Sequence, residues 1–229
     1  MWDNATIMML VKETGTTLFI TLTSTVFAYA LGLPLGILLV VTAKDGLRPN
    51  AAVYKILNAV VYKVLDALVN VVRSVPFLIM LMLLIPFTRL VVGKSYGAAA
   101  TIVPLTIAAA PFIARLVESS LLEVDKGVIE AAQSMGAGRG TIVWKVLLAE
   151  ARPSLIVGAT IALGTILGYS AMAGVVGGGG LGDVAIRYGY YRFPADFMIV
   201  TVVLLIILVQ VLQVIGTKLS KKLDKRITG

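Results

Sequence analysis

The chain has 229 residues, 59% of them hydrophobic and 14% charged, with a mean hydropathy of +0.96. Soluble proteins carry roughly 45–50% apolar and about 25% charged residues, so an ordinary soluble domain is excluded. With no cysteine, no histidine and a formal net charge of +8, disulfides, thiol nucleophiles, Cys/His zinc sites and imidazole bases are excluded as well.

A bilayer core about 30 Å thick takes roughly 20 helical residues to cross. Four charge-free stretches reach that length, and a fifth, 74–88, reaches it when extended back through Arg73 to about Leu65, so five spans are expected. Met1–Glu13 carries acidic residues rather than a basic leader, so no secretory signal peptide is expected. The first span covers 14–43. Its Gly32 and Gly36 either admit a close neighbouring helix or reflect how common glycine is in membrane helices. Pro34 between them predicts a kink, and Lys44-Asp45-Gly46 with Pro49 predicts a turn. The second span covers 65–92. Within it Asp66 and Arg73, seven apart, share a helical face. An unpaired charge at the bilayer centre costs about 2.5–3.5 kcal/mol, so both are read as structural charges rather than substrate contacts.

The third span, 95–117, contains Pro104 and Pro111, and the segment 124–150 after it is the least hydrophobic long stretch. The fourth, 153–176, runs into Gly177-Gly178-Gly179-Gly180, and a segment with Arg187, Tyr188, Tyr190, Tyr191 and Arg192 leads to the fifth, 196–217. The fold class expected is all-α: one polytopic membrane domain, 1–229, with five transmembrane helices. Of the 20 Lys and Arg residues, Lys12, Arg89, Lys94, Arg187 and Arg192 fall on one side of such a chain and all others on the opposite side. That bias places the N-terminus outside and the C-terminus in the cytoplasm. The basic tail from Lys218 to Arg226 then faces anionic lipid, so the positive charge implies a bilayer and no nucleic acid.

Two nucleotide patterns fail on context. Gly93-Lys94-Ser95 lacks the earlier glycine of a phosphate-binding loop, whose position holds Thr88. Gly177, Gly179 and Gly182 match a dinucleotide fingerprint, but they end a membrane helix instead of following a strand. The informative segment is Glu130-Ala131-Ala132-Gln133-Ser134-Met135-Gly136, continuing to Leu148. Val128, Ile129, Ala132 and Met135 fall on one helical face. Gly136 is suited to positive φ and ends that helix. A second helix carries Ile142, Val143, Val146 and Leu147 on its apolar face. This is either a plain surface helix-turn-helix or a docking element whose small alanines admit a partner's cleft while Glu130 offers a carboxylate.

This segment resembles the coupling motif of ABC importer permeases, the binding-protein-dependent transport inner-membrane components. That motif has Glu-Ala-Ala, a glycine four residues on, and later an aliphatic residue and Leu-Pro. Val146 and Leu148 fit it, and Ala149 stands where proline is expected. Arg73-Ser74-Val75-Pro76-Phe77 is similar to the second span of amino-acid importer permeases. The run from Ile102 to Arg115, Gly168-Tyr169-Ser170-Ala171-Met172-Ala173-Gly174, Gly179–Asp183 and Arg187–Tyr190 look like the methionine-uptake members of the family.

The resemblance implies an ABC type I importer permease fold with a cytoplasmic coupling-helix pair. It implies a non-catalytic subunit without catalytic or metal residues, which assembles with a second copy of itself, two cytoplasmic ATPase subunits and an external substrate-binding lipoprotein. ATP and Mg2+ would sit on the ATPase. Glu130, Ala131, Ala132 and Gly136 would couple to it. For the gate along the pathway we expect Tyr169, Ser170 and Met172, the last a flexible, polarizable side chain suited to a thioether ligand; ordinary helix packing is the other reading of Met172. The substrate implied is methionine, L and D, with another small solute (a polar amino acid or a quaternary amine) as the alternative. An ATP-independent secondary transporter or channel would be expected to show an acidic relay or inverted repeats, and neither is visible.

Overall fold

The computed structural model describes residues 3–43, 52–191 and 195–223, the side chains of 52–57 and 195 excepted, and no strand occurs among the described residues. Helix α1, Asn4–Thr42, starts under Asp3, whose carboxylate accepts the Thr6 N–H at 2.9 Å. That cap satisfies an end donor and lets the helix begin ahead of the apolar run expected to open at residue 14. α1 is one helix through Pro34, and its 39 residues make it longer than the hydrocarbon core is thick.

The single span expected over 65–92 is divided. α2 is Ala52–Ser74, α3 Phe77–Leu83 and α4 Ile85–Val92. Pro76 lacks an N–H and sits in extended backbone (φ −57°, ψ 134°) as the N-cap of α3, and it also biases Val75 away from helix. Leu84 ends α3 and Pro86 lies in the first turn of α4, where a missing N–H costs nothing. Apolar continuity alone did not reveal these breaks.

α5 is Ala98–Leu122 and α6 Lys126–Ser134. Next come α7 (Arg139–Thr141), a π-wound stretch Ile142–Leu147 and α8 (Leu148–Glu150). α9 is Arg152–Ala173, followed by a 3₁₀ turn Gly174–Val176 and α10, Gly180–Val184, which widens into a π turn over Ala185–Tyr190. α11 is Ala195–Leu223. Four described stretches are long and apolar enough to cross a membrane: Asn4–Thr42, Ala98–Leu122, Arg152–Val176 and Asp196–Leu223. A fifth reaches that standard only when the helices on either side of Val75-Pro76 are counted together. The turn expected at Lys44-Asp45-Gly46, and also Arg192, Lys225 and Arg226, lie outside the described residues.

The chain resolves into two compact units. One comprises Tyr29–Ser74, Ala110–Thr160 and Ile215–Gly229. Here Gly32 and Gly36 do admit a close neighbour, and it is α5 of the same chain. A Cβ on Gly32 would lie 2.6 Å from the Ala110 carbonyl oxygen, and one on Gly36 2.6 Å from that of Ala114. Leu39, Val69 and Ala114 form a buried cluster beside them. Arg115 reaches Asp66 on α2, donates to the Asn70 side chain at 3.0 Å and pairs with Glu118 at 2.6 Å. Asp66 is therefore a structural charge, as expected, while Arg73 takes no part in this network.

The other unit comprises Met1–Ala28, Val75–Ala109 and Ile161–Val214. Leu10, Leu181 and Val184 form its buried cluster, with Phe197, Leu204 and Leu208 packed on it. The Phe77 and Tyr169 rings stack with centroids 4.5 Å apart and planes 4° from parallel, a pairing worth about 0.5–1.5 kcal/mol beyond its area.

Candidate functional site

The coupling candidate begins at Asp125, which caps α6 by accepting the Gly127 N–H at 2.6 Å. The other end of α6 closes with two bonds: Ala137 N–H to the Ala132 carbonyl at 3.0 Å and Gly136 N–H to that of Gln133 at 2.9 Å. This is the Schellman pattern, which needs a left-handed residue just past the cap. Gly136 supplies it with φ 78°. No atom stands where its Cβ would go, so the conformation, not crowding, calls for glycine here.

Of the apolar face expected on α6, only Ala132 is buried, at 5% exposure, while Val128 and Met135 are open and Met135 is 81% exposed. Glu130 and Ala131 also face outward. Of the apolar face expected on the following helix, Ile142, Val143 and Leu147 are buried and Val146 is half-buried. Trp144 on its far side is 67% exposed. Ala149 lies inside α8, so the helix continues through the position where proline was expected, and Pro153 stands in the first turn of α9 instead. A cavity of about 360 Å³ opens where the two stems of this segment approach α11, lined by Glu123, Glu150 and the hydroxyls of Ser120, Ser154 and Ser220.

The three gate candidates sit on the last turn of α9 and point different ways. Tyr169 is half-buried against Phe77. Ser170 is 3% exposed and its hydroxyl donates to the Leu167 carbonyl at 2.8 Å, so its polarity is spent inside the helix. Met172 is 47% exposed.

The loop after them is fixed from two directions. Gly97 N–H donates to the Gly177 carbonyl at 2.9 Å, and the Thr101 hydroxyl to that of Gly178 at 3.2 Å. From α1, the Glu13 carboxylate accepts the Gly180 N–H at 2.8 Å and the Thr17 hydroxyl accepts the Leu181 N–H at 2.8 Å. Gly177, Gly179 and Gly180 have φ of 75°, 80° and 77°, which side chains rarely tolerate. A Cβ on Gly174 would run into the backbone of Gly182. Asp183 pairs with Arg187 at 2.9 Å. Burial holds the Asp183 carboxyl above its usual value against the pull of Arg187, and Glu13 adds to that rise.

Of the two glycine patterns, the one at 177–182 follows a 3₁₀ turn rather than a strand, and Gly93 is the left-handed cap that ends α4. Among the described residues, no three His, Cys, Asp or Glu side chains are grouped to hold a metal. The sequence reading missed Glu13 and Thr17, treating Glu13 only as the boundary of a span. Arg115 and Glu118, a charged pair three apart in an apolar helix, carried a local signal that went unused.

The family described as binding-protein-dependent transport system inner membrane component matches residues 32–229. The "Probable D-methionine transport system permease protein MetI" of Vibrio cholerae is 51% identical over 95% of this chain and 93% of its own length. The "Methionine import system permease protein MetP" of Bacillus subtilis is 44% identical over 82% of each chain. A solved structure described as "Inward facing conformations of the MetNI methionine ABC transporter" superposes with a TM-score of 0.92 at 45% identity, covering 98% of this chain and 100% of that one.

Proposed function

The chain belongs to the family of binding-protein-dependent transport system inner membrane components, and on that premise we propose that it is the membrane-spanning, non-ATPase subunit of an ATP-driven importer that carries methionine in both L and D forms. It works as a homodimer with two ATPase subunits, which hold ATP and Mg2+, and receives substrate from an external binding lipoprotein. Its N-terminus is outside and its C-terminus cytoplasmic, a reading supported by the positive-inside bias.

The observation that carries the coupling role is the uncovered face of α6: Met135 and Val128 exposed beside Glu130 and Ala131, on a helix whose end is locked by Gly136. Val128 and Met135, exposed beside small Ala131 and the Glu130 carboxylate, offer apolar contact and a charge to a partner protein. Closure of the ATPase dimer pushes on Ala131–Gly136, and the helices respond by exchanging inward-open and outward-open arrangements, a two-state element biased from two sites. Of the three gate candidates Met172, exposed at the end of α9, is the one free to constrict a pathway, with Tyr169 stacked on Phe77 and Ser170 buried in its own helix behind it.

The test is uptake of labelled methionine into liposomes holding this chain with its ATPase subunit and binding lipoprotein. Uptake of both stereoisomers that needs ATP and resists competition by glutamine or choline supports the reading; uptake without ATP, or of a competitor only, overturns it. Gly136→Asp and Glu130→Ala should each abolish ATP-dependent uptake with the chain still in the membrane. Retained uptake in both removes the coupling role from α6.

A further inference from the structure

We infer that Glu13 is a positioning residue for the gate: its carboxylate, with the Thr17 hydroxyl, latches the glycine loop that follows Tyr169–Met172. The observations are two bonds that bridge distant parts of the sequence. Glu13 accepts the Gly180 N–H and Thr17 accepts the Leu181 N–H, both at 2.8 Å. These are the first donors of α10, which has no side-chain cap of its own. The Thr17 hydroxyl in turn donates to the Glu13 carbonyl at 3.0 Å, so the two acceptors form one unit on α1.

Glycine at 180 is required by that grip, since a Cβ there would lie 2.6 Å from the Thr17 hydroxyl. The Gly177 and Gly178 carbonyls are taken by the start of α5, their amides by the Gly174 and Ala173 carbonyls, and the Gly180 and Leu181 amides by α1, so the latch is the tie between this loop and α1. An acceptor that meets the Gly180 amide in one arrangement of the loop and not in another biases a two-state element toward the first. The inference rests on the importer reading of the same stretch.

The test uses the absence of cysteine from the chain. Val175→Cys places a single thiol on the exposed turn just past the gate candidates. In the reconstituted complex, labelling by a membrane-impermeant maleimide and basal ATP hydrolysis are then measured together. Glu13→Ala is expected to raise both about tenfold, while Glu13→Gln, which keeps an acceptor oxygen, stays within about twofold of the parent. A purely structural role would lower the yield of complex without raising labelling or hydrolysis in what assembles, and would overturn the latch. Parent rates in Glu13→Ala overturn the latch. Should that variant fail to assemble, Thr17→Val is judged by the same two rates. Absence of methionine uptake by the parent would sink the importer reading alone, because the labelling comparison does not depend on substrate.

Discussion

The two units of the chain secure their interiors by different means. Around Arg115 the fixing element is charge: one guanidinium serves Asp66, Asn70 and Glu118, which lie on two helices. Around Gly174 and Gly182 it is the lack of side chains, which brings backbone against backbone, with one hydroxyl and one carboxylate tying off two amides. The first arrangement is vulnerable to removal of a group and the second to addition of one. Charges taken out of water must be matched, whereas close backbone approach has no room to give.

The largest effect should follow from breaking the ionic centre. Arg115→Ala leaves two carboxylates uncompensated and should cost about 3 kcal/mol, read as a lowered melting temperature of the purified complex. Arg115→Lys keeps the charge but loses the fork and should fall between. An unchanged melt for Arg115→Ala would mean that charge is not what fixes this unit. Next in size, Gly174→Ala adds a methyl where the Gly182 backbone stands and should cost about 1–3 kcal/mol in the same measurement. Gly15→Ala, with nothing within 4 Å of the added Cβ, sharpens the contrast: a helical glycine in open space should gain roughly 0.5–1 kcal/mol on becoming alanine. Equal melts for Gly174→Ala and Gly15→Ala would end the argument from close approach. The smallest change is expected at Met172, which fixes nothing in its own unit. Met172→Ala should leave the melt untouched and raise basal ATP hydrolysis roughly two- to threefold, a fraction of a kcal/mol; wild-type hydrolysis would return Met172 to ordinary packing.

What the sequence made legible was whatever repeats along one helix. The apolar runs located the long helices, and the buried Ile142, Val143 and Leu147 followed from spacing alone. Gly136 was legible because a helix ending with a left-handed residue is a local event. The division at Pro76 was in plain view, yet it was overruled by the apolar residues on both sides, which say nothing about backbone direction. Two features lay beyond any periodicity. Asp66 meets Arg115 across 49 positions and Glu13 meets Gly180 across 167, and a contact of that separation is set by which helices end up adjacent. Gly32 and Gly36 fell between these cases: the motif announced a close approach, but only the packing of α1 on α5 showed which helix makes it.

The π-wound stretch Ile142–Leu147 has a consequence for how this segment tolerates change in length. A π turn takes up one residue more than the α turn it replaces. The stretch therefore acts as a vernier between the Gly136 cap and Pro153: with one residue fewer, the bonds would close as ordinary α-helix. Leu148–Glu150 would then keep their places, whereas one residue added to a helix that does not widen would swing all that follows round the axis by about 100°. The widened turn thus lets the segment between Gly136 and Pro153 differ by one residue in length without turning the surface that follows it.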